Sequence, residues 1–171
     1  MLRLILVFVD IMLHRRGPQD VPSSPFLFWL LLATSLGVEL AVTLWAGGSV
    51  LAVAVAVLVT GLNVWFVWAL LRLFNHQRRF RQTMTALLGA DTILSLLHAP
   101  FIPFLEVPDP EQPVLTIPVL VTTFVFLWAI DINAFVFSRA LARPYFLCLA
   151  IVIAYALLIV SLQATLLQPV T

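Results

Sequence analysis

Six polar side chains of kinds that carry protons or bind ions, Glu39, Asn63, Asp91, His98, Asp131 and Asn133, fall inside long apolar stretches of this chain. A polar group in such a stretch is expensive in lipid, so each is expected to face a bundle interior, a water cavity or a partner. Asp91, Ser95 and His98 are spaced to share one helix face, and Ser35, Glu39 and Thr43 share another. At about 1.5 Å of rise per residue, Glu39 and His98 both lie roughly 21–23 Å above the near membrane boundary. Asp91, Asn63, Asp131 and Asn133 lie within about 14 Å of it by the same rise. Two polar layers are therefore expected. The outer layer pairs Glu39 with His98, and the inner one links Asp91 or Asp131 to Asn63 and a rim of arginines. A carboxylate and a histidine at matched depth can exchange a proton, which points to a proton or ion path. The same groups also suit a structural role, as a buried pair that fixes helix register or as carboxylates reached by snorkelling Arg side chains. Four ionisable groups, with no repeat symmetry and no Gly-interrupted helix, are few for a transporter.

The elements that must position these groups are membrane helices. Of 171 residues, 63% are hydrophobic and only 10% charged, and the mean hydropathy is +1.11. Soluble domains carry about a quarter charged residues, and no core this small hides so much apolar surface. The fold class expected is all-α, a polytopic membrane helix bundle. A net charge of +1 gives no reason to expect nucleic acid as a partner. Cys148 stands alone, which excludes an internal disulfide, and His14, His76 and His98 lie too far apart for local zinc spacing. His98 is the only histidine within a span, so paired-histidine haem ligation inside one chain is excluded, and neither metal nor other cofactor is expected. There is no Gly-rich phosphate loop and no nucleophile elbow, so the protein is read as not an enzyme.

The stretch Leu71–Leu105 organises the rest, because a basic half (Arg72, His76, Arg78, Arg79, Arg81) gives way to an apolar half. That junction marks where the membrane surface lies. Residues 1–24 form a cytoplasmic N-terminal amphipathic segment and linker, and 25–171 a five-span membrane domain. The first 16 residues are too short to span and end in His14-Arg15-Arg16 rather than a cleavage site. On a helix, Arg3, Asp10 and His14 share one side and Leu2, Leu6, Val9 and Leu13 face away. That pattern suits a helix lying in the interface, or docked on the bundle or on a partner. Ser23 or Ser24, followed by Pro25, starts the first span. The spans are expected at about 26–46, 50–71, 83–104, 114–137 and 145–167.

Ala33, Gly37 and Ala41 in the first span, and Ala52, Ala56 and Thr60 in the second, offer faces for close helix approach. The Gly47-Gly48-Ser49 turn makes those two spans neighbours. Pro100 and Pro103 should loosen the end of the third, and Glu106–Pro113 should be an extended, acidic loop. Trp29, Trp45 and Trp68 are placed as interfacial anchors, whereas Trp65 and Trp128 read as packing.

Arg15, Arg16, Arg72, Arg78, Arg79, Arg81, Arg139 and Arg143 all fall on one side of this five-span layout, and Glu106, Asp109 and Glu111 on the other. The positive-inside rule then places the N-terminus in the cytoplasm and the C-terminus outside. All nine basic residues are Arg, which with the many Ala, Leu, Val and Pro fits a GC-rich bacterial genome and hence an inner membrane.

The basic segment leading into Arg81–Leu97, the span containing VFLWAIDINAF and the RALARP link to a last apolar span carry a resemblance. By layout more than by motif, residues 70–165 resemble bacterial members of the Yip-type family of five-span membrane proteins. Eukaryotic members are linked to vesicle trafficking and small-GTPase binding. Their aspartate-leucine-tyrosine-glycine-proline and tyrosine-glycine motifs are absent here, and 24 residues replace their long N-terminal region. The function expected first is a non-catalytic inner-membrane accessory subunit or scaffold, partnered by the bilayer and by a membrane protein or further copies of itself. The alternative is a small proton- or ion-linked transporter or channel.

Overall fold

The computed structural model describes residues 2–105 and 116–167. Among them are six α-helices and no strand: α1 (Leu2–Met12), α2 (Pro25–Trp45), α3 (Val50–Leu73), α4 (Phe80–His98), α5 (Ile117–Leu141) and α6 (Tyr145–Leu167). Five stretches, α2, α3, Gln77–Phe104 around α4, α5 and α6, are long and apolar enough to cross a membrane. The chain is an all-α, multi-pass membrane bundle.

Local chemistry sets the helix ends. The Ser24 hydroxyl accepts from the Leu27 amide at 3.4 Å and Pro25 fills the first turn of α2. Between α2 and α3, Gly47 turns the chain at φ +76°, and a Cβ on Gly48 would come within 2.6 Å of the Thr43 carbonyl oxygen. Ser49 then caps α3 through the Ala52 amide. Pro100 and Pro103 convert the end of the third span into a 3₁₀ stretch, Ala99–Phe104, as their missing amides require. The expected acidic loop, Glu106–Pro113, lies outside the described residues. α5 runs four residues beyond the expected 137, since Ser138-Arg139-Ala140-Leu141 continues the helix until Ala142 turns left-handed at φ 51°. The described part of α6 covers Tyr145–Leu167.

α4 is the hub. It touches α1, α2, α3 and α5, and the ring closes through α5–α6, α6–α3 and α3–α2. Its run Thr83–Ala90 is buried throughout, and it packs with Leu70 and Leu71 of α3 and with Ile132–Leu141 of α5. The tight core therefore occupies the half of the bundle nearest the arginines. The three arginine-bearing links are tied together there. Arg79 donates to the carbonyls of Arg139 (3.2 Å) and Ala140 (2.9 Å), Gln82 donates to Val21, and the Arg143 guanidinium lies 5.3 Å from the Phe74 ring centre.

Three expectations change. First, α1 docks on its own bundle through a face that the amphipathic pattern did not single out. Phe8, Ile11 and Met12 are buried against α4 and α5, while Leu6 and Leu13 stay exposed. Gly89 makes this possible: a Cβ there would meet the Phe8 ring at 2.5–2.6 Å. Second, Ala33, Gly37 and Ala41 do not form a helix seam but are exposed, because α2 turns its other side to α4, whereas Ala56 on α3 is buried. Third, Trp65 is 61% exposed and faces out with Trp29, Trp45 and Trp68, so only Trp128 packs inward.

Candidate functional site

Around the middle of the bundle and on the side away from the arginines, the helices border two adjoining cavities, both partly open to the outside, with Glu39 exposed at the edge of one. The larger, about 420 Å³, is bordered by Ser35 and Glu39 of α2, Thr60 and Asn63 of α3, Asp91, Ser95 and His98 of α4, and Thr122 of α5. The smaller, about 250 Å³, adds Asn133 of α5 and Tyr155 of α6. Asn63, Asp91 and Gln163 border both, so the two make one chamber. Spacing explains the convergence. Asp91, Ser95 and His98 lie along one stripe of α4, and Ser35 and Glu39 along one stripe of α2, so a single helix rotation brings each set to the cavity.

Depth follows from the helix rise. Asp91 lies eleven residues past Phe80, about 16 Å from the arginine-rich end and close to the middle of a hydrocarbon layer about 30 Å thick. Neither its carboxyl nor that of Glu39 has a hydrogen bond or ion pair among the described residues. The other polar groups of the chamber are partly satisfied within the protein. The Tyr155 hydroxyl donates to Asn63 Oδ1 at 2.7 Å, with its ring stacked on Phe66 at 3.8 Å. Asn133 Nδ2 donates to the Ala129 carbonyl at 2.7 Å. Thr122 spends its one proton on the Pro118 carbonyl, so the 2.9 Å contact with His98 has the ring Nε2–H donating to Thr122 Oγ1.

The two expected layers are thus redrawn. Glu39 and His98 do share a cavity, but the histidine's hydrogen bond is to Thr122 rather than to Glu39. Asn63, Asp91 and Asn133 join the same chamber instead of forming a separate layer at an arginine rim.

Asp131 leaves the group. Two residues from Asn133, it points to another side of α5, where it accepts from the Tyr145 hydroxyl at 2.6 Å and pairs with His14 at 3.2 Å. His14 follows the end of α1 at φ 59°, a conformation uncommon outside glycine, with its ring stacked 4.2 Å from that of Phe135. Asp131 is therefore part of the clasp that holds α1. Of the basic rim (Arg72, Arg78, Arg79, Arg81, Arg139, Arg143), none makes an ion pair among the described residues; Arg16 pairs with Asp10 at 3.2 Å.

Sequence reasoning passed over Tyr155, Gln163 and Thr122, which carry no charge. Tyr155 and Gln163 did leave a signal, since polar side chains are rare in α6 and these two are two turns apart. Among the described residues no three His, Cys, Asp or Glu side chains converge as a metal ion would need. What the chamber offers is two carboxyls with no hydrogen bond or ion pair among the described residues, one imidazole and several neutral donors and acceptors. That set suits protons, a monovalent cation or a small cationic solute. Comparison of the chain with protein-family models, with curated proteins and with solved structures finds no match.

Proposed function

We propose that this protein is a small proton- or cation-linked carrier or channel of a bacterial inner membrane, with Asp91 as its central ion-binding group and Glu39 and His98 as partners. The observation that carries this reading is Asp91: a carboxyl near mid-bundle, bordering both cavities, with no hydrogen bond or ion pair among the described residues. A group so placed costs several kcal/mol unless a proton or cation answers it, and that exchange is what a coupled pathway uses. Arginines gathered at one end support a cytoplasmic placement of that end. The five-span layout supports the Yip-type resemblance. It does not extend to the trafficking role of eukaryotic members.

The test is flux in proteoliposomes with an internal pH dye, comparing the wild type with Asp91→Asn and Glu39→Gln. The expected result is a pH-driven signal that Asp91→Asn abolishes and Glu39→Gln weakens. Flux that survives Asp91→Asn unchanged would refute the assignment.

An accessory-subunit or scaffold role is the second reading. Its support is the exposed Ala33-Gly37-Ala41 stripe, which no described helix of this chain covers. The N-terminal helix adds nothing to it, because Phe8, Ile11 and Met12 of α1 are buried against the protein's own bundle. A stoichiometric partner on gentle purification, lost with Gly37→Leu, would move this reading ahead.

A further inference from the structure

At the arginine-rich end, a separate hollow of about 710 Å³ opens between the α1–α2 link, the α3–α4 link and the junction of α5 with α6. Arg79, Arg139 and Arg143 border it, together with Gln19, Ser138 and Tyr145, and among the described residues no acidic side chain does. We propose that this hollow binds the phosphate group of an anionic glycerophospholipid.

Positive charge at a membrane surface is ordinary, so the case rests on how these three guanidiniums are held. Arg79 is fixed by its bonds to the last carbonyls of α5. Arg139 lies 5.3 Å from the Phe135 ring centre and Arg143 lies 5.3 Å from that of Phe74. Arg143 takes its direction from the left-handed turn at Ala142, and its amide donates to the Ser138 carbonyl. Three cations, one from the α3–α4 link, one from the last turn of α5 and one from the α5–α6 link, are thus held around one space by aromatic faces and carbonyls rather than by carboxylates. The nearby acids are otherwise engaged: Asp10 pairs with Arg16, Asp20 accepts from the Gly17 amide, and Asp131 meets His14 and Tyr145. Only Asp10 is matched by a permanent cation; Asp20 and Asp131 keep their charge and offset part of the field, but the three guanidiniums outnumber them, and planar guanidiniums match phosphate oxygens in pairs.

Position selects the lipid. The hollow abuts the first turn of α6, whose Phe146 is 79% exposed and whose Leu147 is 45% exposed. An anion bound here has an apolar surface alongside, which acyl chains cover and a free phosphate does not. A choline or ethanolamine headgroup would bring its own cation toward three arginines, so phosphatidylglycerol or cardiolipin chemistry is preferred.

The experiment uses the full-length protein, equilibrated with mixed phosphatidylglycerol and phosphatidylcholine vesicles, extracted gently, and analysed for bound lipid by native mass spectrometry. The wild type is expected to retain phosphatidylglycerol selectively, and Arg139→Gln with Arg143→Gln to lower that enrichment by about tenfold or more. Arg78→Gln with Arg81→Gln removes the same charge from the same face outside the hollow and should leave enrichment nearly unchanged. Equal loss in both pairs would mean general surface charge and overturn the proposal. Displacement of the lipid by millimolar inorganic phosphate would overturn the lipid as occupant. Should the Gln pair fail to fold, Arg139→Lys with Arg143→Lys keeps the charge and loses the planar fork. A few-fold loss of enrichment is expected there, and none would refute the role of paired guanidinium bonds.

Discussion

Gly89→Ala is the most informative single change, because two effects of known sign oppose each other at that site. In a helix interior, Ala is favoured over Gly by about 1 kcal/mol. Here the added methyl would lie 2.5–2.6 Å from three atoms of the Phe8 ring, well inside contact distance. Overpacking of this kind costs about 1–3 kcal/mol, and the ring has little room, since Phe8 is 3% exposed. The clash should win. Gly89→Ala is then expected to destabilise the protein by about 1 kcal/mol, and to loosen α1 before the five-span bundle.

Phe8→Ala alone should cost about 3 kcal/mol by emptying the same space. In that background the Gly89→Ala methyl meets no ring, and the substitution should become stabilising by about 1 kcal/mol. The sign reversal is a coupling of about 2 kcal/mol, well above the error of a double-mutant cycle. Reversible unfolding in mixed detergent–SDS micelles measures all four corners, and limited proteolysis near Leu13 reports release of α1. If Gly89→Ala stabilises equally in both backgrounds, Phe8 does not sit on Gly89, and the docking of α1 described above is wrong.

Three further outcomes follow from named contacts. Tyr155→Phe keeps the stack on Phe66 but leaves Asn63 Oδ1 without its donor, so a loss of about 1 kcal/mol is expected in the same unfolding assay; no loss would mean that water replaces the hydroxyl freely. His14→Ala breaks a pair whose side chains are 34% and 41% exposed, so its electrostatic part should be under about 1 kcal/mol and shrink in high salt. A loss several times larger, unaffected by salt, would show that the Phe135 stack rather than the charge holds α1. In a Cys148→Ser background, single cysteines at Gln77 and Gln112 should label from opposite faces of the membrane; labelling from one face rejects the five-span layout.

The sequence by itself determined the class and the layout. Five apolar runs separated by Pro, Gly and Arg define spans by composition alone, since lipid excludes charge and unpaired backbone whatever the neighbours are. Those rules are local, so five approximate spans could be drawn, and a loosened end after His98 was legible in Pro100 and Pro103, where the chain forms a 3₁₀ stretch. Helix periodicity also showed that Asp91, Ser95 and His98 share a face. Which helix that face meets is not a local matter. In a membrane the outside of the bundle is as apolar as the inside, so hydropathy carries no code for orientation, and the exposed Trp65 and the exposed Ala33-Gly37-Ala41 stripe were misjudged for that reason. Only the tertiary structure separated Asp131 from Asn133, two residues apart on α5, sending one to the α1 clasp and the other to the chamber. It alone seated α1, because the contact depends on a missing side chain at Gly89 meeting a ring 81 positions earlier at Phe8. A glycine in a helix reads from sequence as a weakness; its use appears only when the partner that fills the gap is in place.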